Sequence, residues 1–168
     1  YIRDYGENEN INRAVQVLEH AKREALATQD KTTLIGYEGM ASNAYFEVLP
    51  VLILNQKADF PFHGRNRRPP KDAVNAMLSF AYTLIANDTS AALETVGLDP
   101  YVGFLHTLRP GRTSLALDMM EELRAYLGDR FVLSLINKRQ ITSKDFLFQG
   151  DNGVFMTDKG KKTFISAW

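Results

Sequence analysis

The segment Ser114-Leu115-Ala116-Leu117-Asp118-Met119-Met120-Glu121-Glu122-Leu123 spreads apolar side chains around most of a helical circumference and sets three acids among them. Leu115, Leu117, Met119, Met120 and Leu123 predict a helix buried on more than one side. Asp118 and Glu121, three residues apart, share a face, and Glu122 is four from Asp118. Acids on a buried helix need a partner, because charged groups are seldom buried unless paired or bound to a metal. Two other segments offer donors of the same kind. His106 ends the apolar run Pro100-Tyr101-Val102-Gly103-Phe104-Leu105, and Glu38 sits inside Gly36-Tyr37-Glu38-Gly39-Met40-Ala41. If the three segments pack together, carboxylates and an imidazole converge on one ion. Oxygen ligands suit Mg²⁺ or Mn²⁺, and imidazole moves the preference toward Mn²⁺ or other transition metals. The plainer reading pairs these acids with Arg124 or leaves them in solvent, pairs Glu38 with Lys31 or Arg13, and makes His106 a hydrogen-bonded core residue.

Around this segment the chain reads as mostly helical. Ile11, Ala14, Val15, Leu18, Ala21, Ala25 and Leu26 recur at helical spacing and predict a helix over 8–29. A more apolar helix is expected over 32–54, with Pro50 kinking or ending it. Residues 56–70 lack periodicity and hold Gly64 and three prolines, which predicts a loop. Pro69-Pro70-Lys71-Asp72 reads as the start of a helix to about Ala86, and Asp88-Thr89-Ser90 as the cap of a shorter one to Val96. Thr113 or Ser114 caps the acid-bearing helix, which Gly128 is expected to close, and a further helix runs from Asp129 to Asn137. Phe146-Leu147-Phe148 and Val154-Phe155-Met156 flank Gln149-Gly150-Asp151-Asn152-Gly153, a β-hairpin signal, and Thr157-Asp158 caps a last helix. The expected fold is mainly α, one multi-helix domain over 1–168 with one short hairpin near the C-terminus.

Composition narrows the function. The 168 residues are 45% apolar and 24% charged, an ordinary globular balance. The chain has no cysteine, which excludes disulfide scaffolds, thiolate zinc sites and thiol catalysis. No apolar run reaches the length of a membrane span and no signal peptide is visible, so a cytoplasmic protein without membrane contact is expected. The chain opens Tyr-Ile-Arg rather than with Met, which reads as a fragment of a longer protein. Net charge is zero, against a uniformly basic nucleic-acid binder. Yet Lys57, Arg65, Arg67, Arg68 and Lys71 cluster against the single acid Asp59. Such arginines either grip phosphates or form a solvated loop, and the preference for arginine over lysine leans toward nucleic acid. His63 reads as a surface residue. Lys138, Arg139, Lys144, Lys159, Lys161 and Lys162 form a second, dispersed basic region.

Tyr37-Glu38-Gly39-Met40-Ala41-Ser42-Asn43-Ala44-Tyr45, Arg67-Arg68-Pro69-Pro70-Lys71-Asp72-Ala73-Val74-Asn75 and Gly97-Leu98-Asp99-Pro100-Tyr101-Val102-Gly103-Phe104-Leu105-His106 occur in that order, followed by Arg109-Pro110-Gly111-Arg112 and the segment 114–124. Over nearly the whole chain this resembles the C-terminal helical catalytic domain of the CRISPR adaptation integrase, the first of the CRISPR-associated proteins. The wording around His106 and Asp118 is similar to that of subtype I-C systems. The resemblance implies a divalent-metal-dependent DNA endonuclease and integrase that inserts new spacers into a CRISPR array by transesterification of a phosphodiester, in antiviral defence. By position, Glu38, His106 and Glu121 match the family's metal ligands for Mg²⁺ or Mn²⁺, and Asp118 a catalytic acid that supports them. Arg65, Arg67, Arg68, Lys71 and Arg112 would hold DNA backbone near the ion, with Tyr82 and Asn75 as weaker candidates for DNA or site support. Implied partners are protospacer and repeat DNA, a homodimer built by an N-terminal β-rich domain absent from this sequence, and a small ferredoxin-like CRISPR-associated protein. The alternative is a non-catalytic helical DNA-binding or scaffold domain with structural acids.

Overall fold

The structure, a computed structural model, describes residues 6–66, 68–107 and 109–168. It is built from helices, with a single two-stranded sheet among the described residues. Helix α1 spans Glu9–Ala27 and α2 spans Lys31–Leu52. Asn8 and Asp30 cap them, each side chain accepting a hydrogen bond from the backbone N–H three residues on. The two helices form a hairpin in which Ile11 and Ala14 near one end meet Val48 near the other. Pro50 is accommodated in the last turn of α2, which continues to Leu52 before ending. There Asn137 closes the helix from a distance. Its Oδ1 accepts from the N–H of Leu54 at 2.7 Å and of Asn55 at 3.2 Å, and its Nδ2 donates to the Leu52 carbonyl at 3.0 Å.

Helix α3, Ala73–Thr95, is the centre of the core, with Val74, Met77, Leu78, Ala81 and Ile85 almost fully buried. It runs unbroken through Asp88-Thr89-Ser90, where the sequence predicts a new cap. Ile85 and Leu93 are both buried and lie eight residues apart, on one face, so continuing the helix carries Leu93 into the core. Packing outweighs the weak local preference of Asp, Thr and Ser for a helix start.

Helix α4, Ser114–Leu123, passes through a π-helical segment, Arg124–Asp129, into α5, Arg130–Asn137, with no break at Gly128. Gly128 serves close packing: a Cβ there would lie 3.0 Å from Cε1 of Tyr82 on α3. Strands β1, Phe146–Phe148, and β2, Val154–Met156, pair antiparallel with Phe146 opposite Met156. The Val154 N–H donates to the Pro70 carbonyl at 2.8 Å, fastening the hairpin to the loop before α3. Helix α6, Asp158–Ala167, is capped by Thr157, and its Phe164 packs on Phe80, Phe131 and Trp168. Among the described residues no helix is long and apolar enough to cross a membrane.

Asn137 thus links the end of α2 to the end of α5 through three hydrogen bonds. Replacing it with Ala is expected to lower unfolding free energy by about 1–3 kcal/mol, the range for leaving buried polar groups unpartnered, as read by urea denaturation.

Candidate active-site cleft

The loop before α4 is shaped around one carboxylate. Asp118 is 5% exposed, and its Oδ2 accepts from the N–H of Phe104 at 2.6 Å and of Leu105 at 2.9 Å. Its Oδ1 accepts from the N–H of His106 at 2.9 Å and contacts His106 Nδ1 at 2.6 Å. Four donors on one buried anion wrap residues 104–106 onto the helix. Gly103 permits the approach, since a Cβ there would lie 2.7 Å from the Ser114 backbone and 2.8 Å from Asp118 Oδ2. Burial pushes the Asp118 carboxyl up, but the hydrogen bonds from Leu105, His106 and Phe104 prevail and hold it below the usual carboxylate range. Because the carboxylate only accepts, Nδ1 carries a proton, and in the neutral ring the lone pair is therefore on Nε2.

His106 and Glu121 line one cleft of about 300 Å³ between α3, α4 and the basic loop. Arg65, Arg68 and Arg112 line it too, as do Tyr82 and Arg124. Asn75, fully buried, holds the loop in place: its Oδ1 accepts from Arg65 Nη1 at 2.8 Å and the Asn66 N–H at 3.0 Å, and its Nδ2 donates to the Gly64 carbonyl at 2.9 Å. Arg65 also donates to Ser79 Oγ at 3.0 Å. Beneath the cleft the Tyr82 O–H donates to Asp129 Oδ1 at 2.5 Å, and Tyr45 bonds the same carboxylate. Burial raises the Asp129 carboxyl above its usual range, against the two tyrosines and the charges of Arg124 and Arg65. Burial, with the Asp129 charge beside it, likewise pushes the Tyr82 hydroxyl up.

The expected site residues distribute unevenly. Glu122 is on the exposed face of α4, and Lys71 is exposed and outside the cleft lining. Arg67 lies outside the described residues. Glu38 is exposed on α2 and borders a shallow depression against α1, not the cleft. Among the described residues no three His, Asp or Glu side chains are grouped so as to hold a metal. The stripe of α2 that carries Glu38 touches the loop before α4 and the carboxylate beneath the cleft. Lys31, seven residues before it, donates from Nζ to the Phe104 carbonyl at 2.9 Å, and Tyr45, seven after it, bonds Asp129. Seven residues are nearly two whole helical turns, so the three share a line.

Sequence reasoning took Arg124 only as a salt-bridge partner. In the structure it is ion-paired with Glu121, and its guanidinium lies 4.6 Å from the Tyr82 ring centroid. The i, i+3 spacing from Glu121 was the available signal. Asp129 gave none, because a π-helical register is not written in apolar periodicity.

The Asp118 anchor has a pH signature. A carboxyl held below its ordinary value contributes stability that is fully present above about pH 4 and is lost as pH falls further. Asp118→Asn is expected to cost about 1–3 kcal/mol at neutral pH. The difference from the parent protein, read by denaturation across pH, should shrink toward zero below that range.

The chain has clear relatives. The family model for CRISPR associated protein Cas1 matches residues 1–168. "CRISPR-associated endonuclease Cas1 2" of Rhodospirillum rubrum is 50% identical over 159 residues, covering 94% of this chain and 46% of that protein. Among solved structures, a partial Cas6-RT-Cas1–Cas2 complex superposes with a TM-score of 0.86 at 26% identity, over 98% of this chain and 49% of that one. A casposase bound to integration product gives 0.76 at 26%, over 94% and 47%. The chain thus spans about half the length of these relatives. With the family model matching it over all 168 residues, the chain belongs to the Cas1 family of CRISPR-associated proteins.

Proposed function

We propose that the chain is the catalytic part of a divalent-metal-dependent DNA endonuclease and integrase that inserts spacers into a CRISPR array. The observation that carries this reading is the cleft in which His106 and Glu121 meet Arg65, Arg68 and Arg112. The relatives support it: one is named an endonuclease, one is a casposase bound to integration product, and one sits in a complex with Cas2. Protospacer and repeat DNA are the proposed substrates. A homodimer of the full-length protein and a small ferredoxin-like CRISPR-associated protein are the proposed partners.

By type, a neutral imidazole and carboxylates suit Mg²⁺ or Mn²⁺. His106 offers Nε2, its other nitrogen fixed by Asp118 in the carboxylate–histidine arrangement common behind metal ligands. Glu121 offers a carboxylate in the same cleft, and Glu38, exposed on α2 outside the cleft, is the third proposed ligand. When bound, the cation supplies Lewis acidity at the phosphodiester and activates the attacking 3′-hydroxyl. The protein does the rest. Arg65, Arg68 and Arg112 hold the DNA backbone and oppose the charge that develops at phosphorus, and Arg67 and Lys71 are further proposed DNA contacts. Asp118 keeps the imidazole in one tautomer and one orientation, and so acts through His106.

Strand transfer and DNA cleavage by the full-length protein test this reading. Glu38→Ala, His106→Ala and Glu121→Ala are each expected to abolish both activities with folding intact, and chelation of the cation to do the same. Asp118→Asn should retain activity lowered by about 10- to 100-fold, as for a residue behind a metal ligand. Normal integration by all three alanine variants would leave a non-catalytic DNA-binding or scaffold domain.

A further inference from the structure

Glu121 has two claimants. Its carboxylate is ion-paired with Arg124, yet the proposed function assigns it to a cation. Arg124 is held well for this contest. Its side chain is only 12% exposed, and its guanidinium lies over the Tyr82 ring, which the Tyr82–Asp129 hydrogen bond fixes from below. Arg65 lies over the same ring at 5.2 Å. A guanidinium and a divalent cation a few ångströms apart repel, so both do not share one carboxylate at full strength. The Tyr82 ring gives Arg124 a second support that does not depend on Glu121.

We propose that Arg124 is an exchangeable counter-ion: a divalent cation displaces it from Glu121, and the guanidinium, kept in the cleft by Tyr82, passes to a phosphate oxygen of the DNA. The inference rests on the reading of Glu121 as a metal ligand. It makes cation and DNA help each other bind through one side chain. The cation frees a phosphate-binding group, and the phosphate draws away the cation's competitor. Such coupling is reciprocal by thermodynamic necessity.

The test measures Mn²⁺ binding to the full-length protein by electron paramagnetic resonance, without DNA. Arg124→Gln is expected to bind Mn²⁺ more tightly than the parent protein, by about 5- to 30-fold, and Glu121→Gln to lose binding. Arg124→Met, which preserves the bulk of the buried stem, should behave like Arg124→Gln and serves if that variant does not fold. Duplex DNA binding is then titrated against salt. With Mn²⁺ present, the slope of log affinity against log salt should fall by about 1 in the Arg124 variant, the loss of one phosphate contact; without Mn²⁺ it should not change. Unchanged or weaker Mn²⁺ binding by the Arg124 variants, with binding lost in Glu121→Gln, overturns the exchange and leaves the metal reading standing. A slope that falls equally with and without Mn²⁺ also overturns it. Parent-like Mn²⁺ binding by Glu121→Gln removes the metal reading, and the exchange with it.

Discussion

A buried carboxylate with four donors governs this structure. Asp118 carries a charge into a position with almost no solvent, and the cost of that desolvation is met by three consecutive backbone N–H groups and an imidazole. The loop 104–106 has little apolar burial of its own: Phe104 and Leu105 remain exposed. Its conformation is therefore set by the need to satisfy Asp118. The same need fixes which nitrogen of His106 is available, so folding and chemistry are served by one set of hydrogen bonds.

A second buried acid works in the opposite sense. Asp129 is bound by two tyrosines from different helices, Tyr45 on α2 and Tyr82 on α3, and its carboxyl is raised rather than lowered. It ties three helices together below the cleft while Asp118 fixes the loop at the rim. Between them run Arg65 and Arg124, whose guanidiniums rest on the ring that Asp129 holds. The basic loop is anchored in turn by Asn75, a fully buried side chain that uses both its acceptor and its donor. The cationic surface is thus carried by polar groups in the interior.

The helical architecture was legible in the sequence because apolar periodicity over 8–29, 71–86 and 114–123 is strong, and the hairpin because two short apolar runs, 146–148 and 154–156, flank a glycine-rich turn. What escaped was register and continuity. Asp88-Thr89-Ser90 looked like a cap and is the middle of α3, since burial of Leu93 overrides a local preference. Gly128 looked like a helix end and is a packing contact with Tyr82. The acids and histidine stood out by type, but their partners did not. Spacing alone left Asp118 free to pair with Arg124, whereas Glu121 takes that arginine and Asp118 takes His106. Such assignments depend on which residues the tertiary fold brings within hydrogen-bond reach.

The π-helical segment gives the rod from Ser114 to Asn137 an unusual tolerance. Five-residue hydrogen-bond steps accommodate one more residue than an α-helix of the same rise, so Arg124–Asp129 behaves as an α-helical stretch with one residue inserted. Removing a single residue within it would restore an ordinary helix of nearly the same rise and total turn, with Asp118 and Glu121 before it and the packing face of α5 beyond it left in place. The same deletion in α4 or α5, with no bulge to absorb it, would turn everything beyond by about 100° relative to everything before. A change in count is therefore absorbed at an exposed position such as Tyr126 where it is ruinous a turn away on either side.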